Sequence, residues 1–385
     1  MKKFLILAGE ESGLIYADRL RREIESALSS RGGGATFRGY QSEGFDTGDL
    51  AVMGFWAVLR KIFFFLRVRR TMKRVIREWR PDVVVSVDYP GLNLQLDAYA
   101  KSLGIPAVHL VCPQVWAWHQ DRIPKIARGL TKLLCFLPFE PALFDGTGLD
   151  AKFIGHPMRD VFREEDAARK AGPQDEVGKV IAVLPGSRVG EIARILPRLL
   201  EALSILGKRL EASGAHAPCR AVIPAANEKA EAAIGRLISE AHCECGYIPV
   251  LVQSGGAREL LRSAECAAVA SGTATLEAAL ARCPTVLVYA VSPMLAWFAR
   301  RVIKGTKHIG LANVIAVRSG IPPPMPELLQ EDFTPEAVAD RLEGFLSDGE
   351  SRREAVAALD LAMSKLESDG AALALAAQEV LACLG

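Results

Sequence analysis

The sequence predicts an α/β protein made of two doubly wound, Rossmann-like domains facing each other across a cleft. Three observations carry this expectation. Short runs of Val, Ile and Leu alternate with longer helical stretches, a charged stretch without apolar periodicity interrupts the series once, and 385 residues exceed what one hydrophobic core organises. In order, the runs at 4–8, 83–87, 107–112 and 132–137 are short and apolar in character, rich in Val, Ile and Leu, as strands buried on both faces are. Met1-Lys2-Lys3 ahead of 4–8 imitates a secretory leader, but the run stops at Gly9-Glu10-Glu11, so it reads as the first strand. The stretch 166–178 is the expected linker between a first domain, 1–165, and a second, 179–351. The second series follows at 180–184, 220–223, 247–252, 266–270 and 285–289. The tail 335–384 predicts three helices, and those within 352–385 are expected to return to the first domain.

Composition narrows the function. With 47 basic and 45 acidic residues the net charge is +2, which excludes a nucleic-acid binder that works by bulk charge. No apolar run approaches the roughly 20 residues that span a bilayer, so a soluble or peripheral protein is expected. The cysteines at 112, 135, 219, 243, 245, 266, 283 and 383 are scattered, and only Cys243 and Cys245 are close. They read as reduced thiols, neither a disulfide frame nor a zinc site, and no metal or cofactor is expected.

Several strand ends carry chemistry. Run 180–184 passes into Pro185-Gly186-Ser187-Arg188 and then a helix with Glu191; a Gly-Ser turn lets backbone N–H groups approach an anion, and Arg188 adds a fork that fits phosphate. The plainer reading is an ordinary turn with a surface arginine. A second such turn, Ser271-Gly272-Thr273-Ala274-Thr275-Leu276-Glu277, offers N–H and O–H donors at a helix start, with Glu277 placed for ribose hydroxyls or, more plainly, for a capping arrangement. Gly255 and Gly256 follow another strand and are placed to hold a base through their backbone. Neither turn is a Walker loop and no G-x-G-x-x-G follows the first strand, which disfavours ATP hydrolysis and NAD chemistry. In the first half, Asp88 ends run 83–87 in Asp88-Tyr89-Pro90-Gly91-Leu92-Asn93, where it is a candidate general base, the alternative being a helix cap. Pro113-Gln114-Val115-Trp116-Ala117-Trp118-His119 puts two tryptophans after a buried strand, and His156 follows another. From 60 to 77 there are eight basic residues and no acidic one, interleaved with Phe63, Phe64 and Phe65. Arg67, Arg69 and Arg70 with these rings suit an anionic lipid surface, since three consecutive phenylalanines cannot all face one core.

These motifs resemble the lipid A disaccharide synthase family. The resemblance runs through Gly9 to Gly13, Val52-Met53-Gly54, Pro113 to Trp118, Leu137-Pro138-Phe139-Glu140, Gly155-His156-Pro157, Leu184 to Arg188, Ser271 to Glu277 and Pro326 to Gln330. It implies a B-type glycosyltransferase fold with the nucleotide on the second domain. It also implies transfer from UDP-2,3-diacylglucosamine to the 6-hydroxyl of 2,3-diacylglucosamine 1-phosphate, giving a β-1,6-linked disaccharide and UDP. On this resemblance Asp88 is the base. Gly186, Ser187, Arg188, Gly255, Gly256, Ser271, Gly272, Thr273, Ala274, Glu277 and Asn313 form the UDP side, and Glu10, Ser12, Asn93, Gln114, Trp116 and His156 the acceptor side. It places the protein in the cytoplasm, on the anionic inner face of the cytoplasmic membrane, with a homodimer open. The chain departs from the family pattern at Leu14, Gly91, His119 and Ala312, around the acceptor and hinge rather than in the UDP turns. Two alternatives stand beside this reading. One is another UDP-sugar enzyme of the same fold, a UDP-N-acetylglucosamine 2-epimerase or a lipid-linked peptidoglycan glycosyltransferase; the other is a silent peripheral lipid-binding homologue.

Overall fold

The computed structural model describes residues 1–50, 62–168, 178–214, 218–241, 248–292, 301 and 305–384. Two compact units result, Met1–Val161 with Leu366–Gly385, and Phe162–Lys365. Among the described residues each holds one six-stranded sheet whose neighbouring strands all run parallel.

The first sheet contains β1 (Lys2–Ala8), β2 (Ala35–Arg38), β3 (Val83–Val87), β4 (Ala107–Leu110), β5 (Lys132–Cys135) and β6 (Asp150–Phe153), in the order β2-β1-β3-β4-β5-β6. The second contains β7 (Lys179–Leu184), β8 (Cys219–Ala225), β9 (Val250–Ser254), β10 (Cys266–Ala270), β11 (Thr285–Tyr289) and β12 (Glu327–Leu329), in the order β12-β11-β10-β7-β8-β9. In each sheet the winding reverses once, between β1 and β3 and between β7 and β10. Such reversals open a crevice at the carboxyl ends of the two strands, because their connections leave toward opposite sides. The register brings Ala8 opposite Val87 and Leu184 opposite Val269, so the segments that follow each pair leave the sheet side by side.

The strands β3 and β10 are fully buried and, apart from Ser86, apolar. Helices pack over them by their apolar stripes. Val189–Ala212 buries Ile192, Ile195, Leu196, Leu199, Leu203, Leu206 and Leu210, a three-to-four-residue repeat. The three tail helices are Pro335–Ser347, Gly349–Met363 and Ala372–Leu381; the first two start at Thr334 and Asp348, whose side chains accept from Ala337 N and Glu350 N.

The unit boundaries differ from those expected. Helix Gly349–Met363 packs on Thr273–Leu280 and Leu311–Arg318, inside the second unit, and only the chain from Leu366 joins the first. The expected linker begins inside the helix Pro157–Ala168, whose Glu165 and Asp166 pair with arginines of the second unit, and 169–177 lie outside the described residues. At the start of that charged stretch, Asp166 has a partner in Arg262. The final helix buries Leu373, Ala376, Ala377 and Val380 against Phe4, Leu20, Ile24 and Val83. Asp160 accepts from Ala372 N at 2.7 Å, and Glu379 bridges Lys132 and Lys152. Leu373→Ala therefore opens a cavity in the first unit's core and should cost about 2–5 kcal/mol, read as a lower urea midpoint at unchanged slope.

Candidate active site

The reversal between β7 and β10 opens into a cavity of about 670 Å³. Gly186 and Ser187 after β7, Gly255 and Gly256 after β9, and Ser271, Gly272, Thr273, Ala274 and Glu277 after β10 all line it, as the sequence reading grouped them. Gly186 has φ +109°, a backbone angle that favours glycine, and a Cβ there would stand 2.2 Å from the Glu191 carboxylate, which would have to move aside. Gly272, at φ +152°, lets the chain turn into helix Thr273–Leu280. The hydroxyls of Ser187, Ser271 and Thr273 make no hydrogen bond among the described residues, which leaves donors at a positive helix start. Glu277 does not cap that helix: its carboxylate lies 3.6 Å from Arg258 Nε, and burial holds its carboxyl above the usual range against the opposing pull of that arginine.

Five charged lining residues lie outside the sequence-based set: Arg258, Arg262, Glu165, Glu191 and Glu259. Glu165 accepts from Arg258 at 2.6 Å and from Arg262 at 2.7 Å, and Arg262 lies over the Phe162 ring at 4.3 Å. The i, i+4 arginines after Gly255-Gly256 were the available signal. Two predicted residues are placed differently. Arg188 is exposed and does not line the cavity. Asn313 is fully buried, its amide donating to Met325 O and Glu327 at 2.8 Å each and accepting from Met325 N at 2.9 Å. It ties helix Leu311–Arg318 to the entrance of β12.

The reversal between β1 and β3 brings Glu10 beside Asp88. Asp88 and Tyr89 both adopt left-handed backbone angles, φ 49° and 54°. Such angles are strained in non-glycine residues and persist only where surroundings enforce them. Asn93 does so: fully buried, it donates to Asp88 O at 2.8 Å and to Leu7 O at 3.1 Å, and accepts from Tyr40 Oη at 2.6 Å. Asn93 thus belongs to the framework under Asp88, not to a ligand surface. Tyr89 donates to Leu50 O at 2.8 Å, and its ring leaves no room for a Cβ at Gly9. Helix Pro90–Ser102 has no side-chain cap, and the Asp88 carboxylate makes no hydrogen bond or ion pair among the described residues. The capping alternative is therefore not what the residue does. Burial first and the Asp88 charge second raise the Glu10 carboxyl, while burial and Glu10 push Tyr89 to about 12. Ser12 is exposed in the first turn of helix Glu11–Ser29.

The tryptophans divide. Trp116 is buried, donating from Nε1 to Glu140 at 3.2 Å and standing edge-on to Phe139, so it braces the loop from inside. Glu140 also accepts from Leu137 N at 3.1 Å, and burial pushes its carboxyl up to about 8. Trp118 is 45% exposed against His119, and Gln114 is exposed. His156 is buried against Phe136 and accepts from Met158 N at 3.2 Å; burial lowers it to about 4, so it is neutral near pH 7.

Helix Ile62–Trp79 corrects part of the lipid-surface expectation. Phe64 and Phe65 pack against the core and stand edge-on to each other, while Phe63 is 81% exposed. Arg67, Arg70 and Arg74 are exposed, whereas Arg69 donates to Gln95 and Lys73 lies over the Tyr99 ring. Arg60, Lys61 and the Val52-Met53-Gly54 motif lie outside the described residues.

A family model described as lipid-A-disaccharide synthetase matches residues 4–379. The lipid-A-disaccharide synthase of Anaeromyxobacter dehalogenans is 38% identical over 386 residues, covering 98% of this chain and 97% of its own. That of Aromatoleum aromaticum is 33% identical over 390 residues, covering 97% and 95%. Among solved structures, MurG of Acinetobacter baumannii superposes with a TM-score of 0.59 at 13% identity, covering 99% of this chain and 100% of its own, a likeness of fold. With its two parallel sheets of the glycosyltransferase B type, the chain belongs to the lipid-A-disaccharide synthase family.

Proposed function

We propose that the protein transfers 2,3-diacylglucosamine from its UDP carrier to the 6-hydroxyl of 2,3-diacylglucosamine 1-phosphate, forming a β-1,6 bond and releasing UDP. One observation carries the chemical assignment: Asp88 ends a buried strand at the first winding reversal with its carboxylate unpaired among the described residues. There it takes the proton of the acceptor hydroxyl as that oxygen attacks the anomeric carbon. Attack opposite the departing diphosphate inverts the anomeric centre. Backbone N–H groups of the turns after β7 and β10, the hydroxyls of Ser187, Ser271 and Thr273, and Arg258 receive the diphosphate's growing charge. Glu277 accepts from ribose hydroxyls. Family membership favours this reading over an epimerase, a peptidoglycan glycosyltransferase or a silent homologue.

Acylated substrates reside in a membrane, and no described helix is long and apolar enough to cross one. Exposed Ile62 and Phe63, followed by Arg67, Arg70 and Arg74 without acidic partners among the described residues, suit the anionic cytoplasmic face of the inner membrane.

Three outcomes follow. Asp88→Asn should lower turnover by roughly 10²–10⁴-fold while UDP affinity, measured by calorimetry, stays unchanged; wild-type turnover would remove Asp88 as base. Arg258→Ala should weaken UDP by roughly 10- to 100-fold, the loss of one charge-assisted contact. Reversing Arg67, Arg70 and Arg74 to Glu should release the protein from anionic vesicles in a flotation assay, at about 1 kcal/mol per side chain; retained binding would refute the surface.

A further inference from the structure

The scattered cysteines hide a cluster that only strand adjacency reveals. Cys112 lies two residues beyond β4, and Cys135 is the last residue of β5, the neighbouring strand paired through Leu110 and Leu134. Glu140 comes from the turn that follows. One ligand atom from each residue lies within 4.8 Å of the other two, and all three residues are at most 3% exposed. We propose that Cys112, Cys135 and Glu140 form a structural site for a thiophilic divalent cation, Zn²⁺.

The donor chemistry matches. Two thiolates and a carboxylate form a borderline-soft set, and the two sulfurs of a tetrahedral zinc stand about 3.8 Å apart, a separation that falls inside the 4.8 Å within which these ligand atoms lie. The fourth position of a tetrahedral ion would be left to water. Glu140 is already oriented by N–H groups of Trp116 and Leu137, the kind of outer contact that fixes a metal-bound carboxylate. No Lys, Arg or His pairs with it among the described residues, so a bound cation would be its first counter-charge. On binding, the two thiol protons leave to solvent, as does the carboxyl proton where Glu140 holds it. The bound cation would clamp the loop carrying Trp116 to the turn carrying Glu140, stiffening the exposed Gln114 and Trp118. The three residues are not among those lining the cavity after β7 and β10, and the proposal stands independently of the proposed reaction.

The test uses the reduced, metal-stripped full chain titrated with Co²⁺, then competed with Zn²⁺. A sulfur-to-cobalt charge-transfer band in the near ultraviolet, its displacement by Zn²⁺, and a melting temperature that rises with Zn²⁺ concentration are expected. Cys112→Ser and Cys135→Ser, each close to isosteric and checked for fold by circular dichroism, should each abolish the band and the thermal shift. The double variant Cys243→Ser/Cys245→Ser, at the close pair outside the described residues, should keep both. Absence of the band in the parent protein, its retention in Cys112→Ser or Cys135→Ser, or its loss in the 243/245 variant overturns the proposal.

Discussion

The first unit is organised around one buried amide. Asn93 donates to the carbonyls of Leu7 at the end of β1 and of Asp88 after β3, and accepts the Tyr40 hydroxyl, so one side chain joins both sides of the winding reversal. Neither Asp88 nor Tyr89 would hold a left-handed angle unaided, since each costs on the order of 1–3 kcal/mol. Four residues further along the same helix, Asp97 accepts from Ser86 on β3 at 2.5 Å and pairs with His109 on β4 at 2.8 Å, all fully buried. Helix Pro90–Ser102 is thus bonded to three consecutive strands, and the turn before it has little freedom. Other identities follow: Gly9 lacks a Cβ because the Tyr89 ring occupies that space, and Asp88, relieved of capping, keeps its carboxylate for other work.

In the second unit the proposed partner is an anion, where the first unit is proposed to supply a base. Its reversal assembles glycine turns and unused hydroxyls, with Arg258 and Arg262 held by Glu165. Holding a guanidinium with a carboxylate lowers the entropy that ligand binding must remove, and Arg262, 7% exposed and stacked on Phe162, has little freedom left. Glu277, half-enclosed and beside Arg258, combines the directionality of an acceptor with restraint on its charge.

How far the sequence carried follows from what periodicity encodes. Strands buried on both faces, Val83–Val87, Cys266–Ala270 and Thr285–Tyr289, match their apolar runs residue for residue. The edge strands Ala35–Arg38, Asp150–Phe153 and Glu327–Leu329 were not legible, being short and only partly buried, with one face left to polar residues. The glycine turns were legible because their conformations demand glycine. Polar residues near those motifs were harder: Asn93, Trp116 and Asn313 look in sequence like ligand contacts, yet all three donate to the protein itself. Whether such a group faces a ligand or a carbonyl depends on neighbours distant in the chain. The same holds for Glu165, the last residue before the stretch expected as linker, and for Cys112 and Cys135, which adjacent strands bring together.

The central claim is that a framework-held carboxylate drives sugar transfer between two acylated glucosamines. The most direct measurement incubates the parent protein and Asn93→Ala with UDP-2,3-diacylglucosamine and 2,3-diacylglucosamine 1-phosphate, following UDP and the lipid products by mass spectrometry. The parent should release UDP one-for-one with a disaccharide 1-phosphate, and Asn93→Ala, folded and still binding UDP, should form little of it. UDP release without disaccharide, or parental turnover in the folded Asn93→Ala protein, would contradict the account.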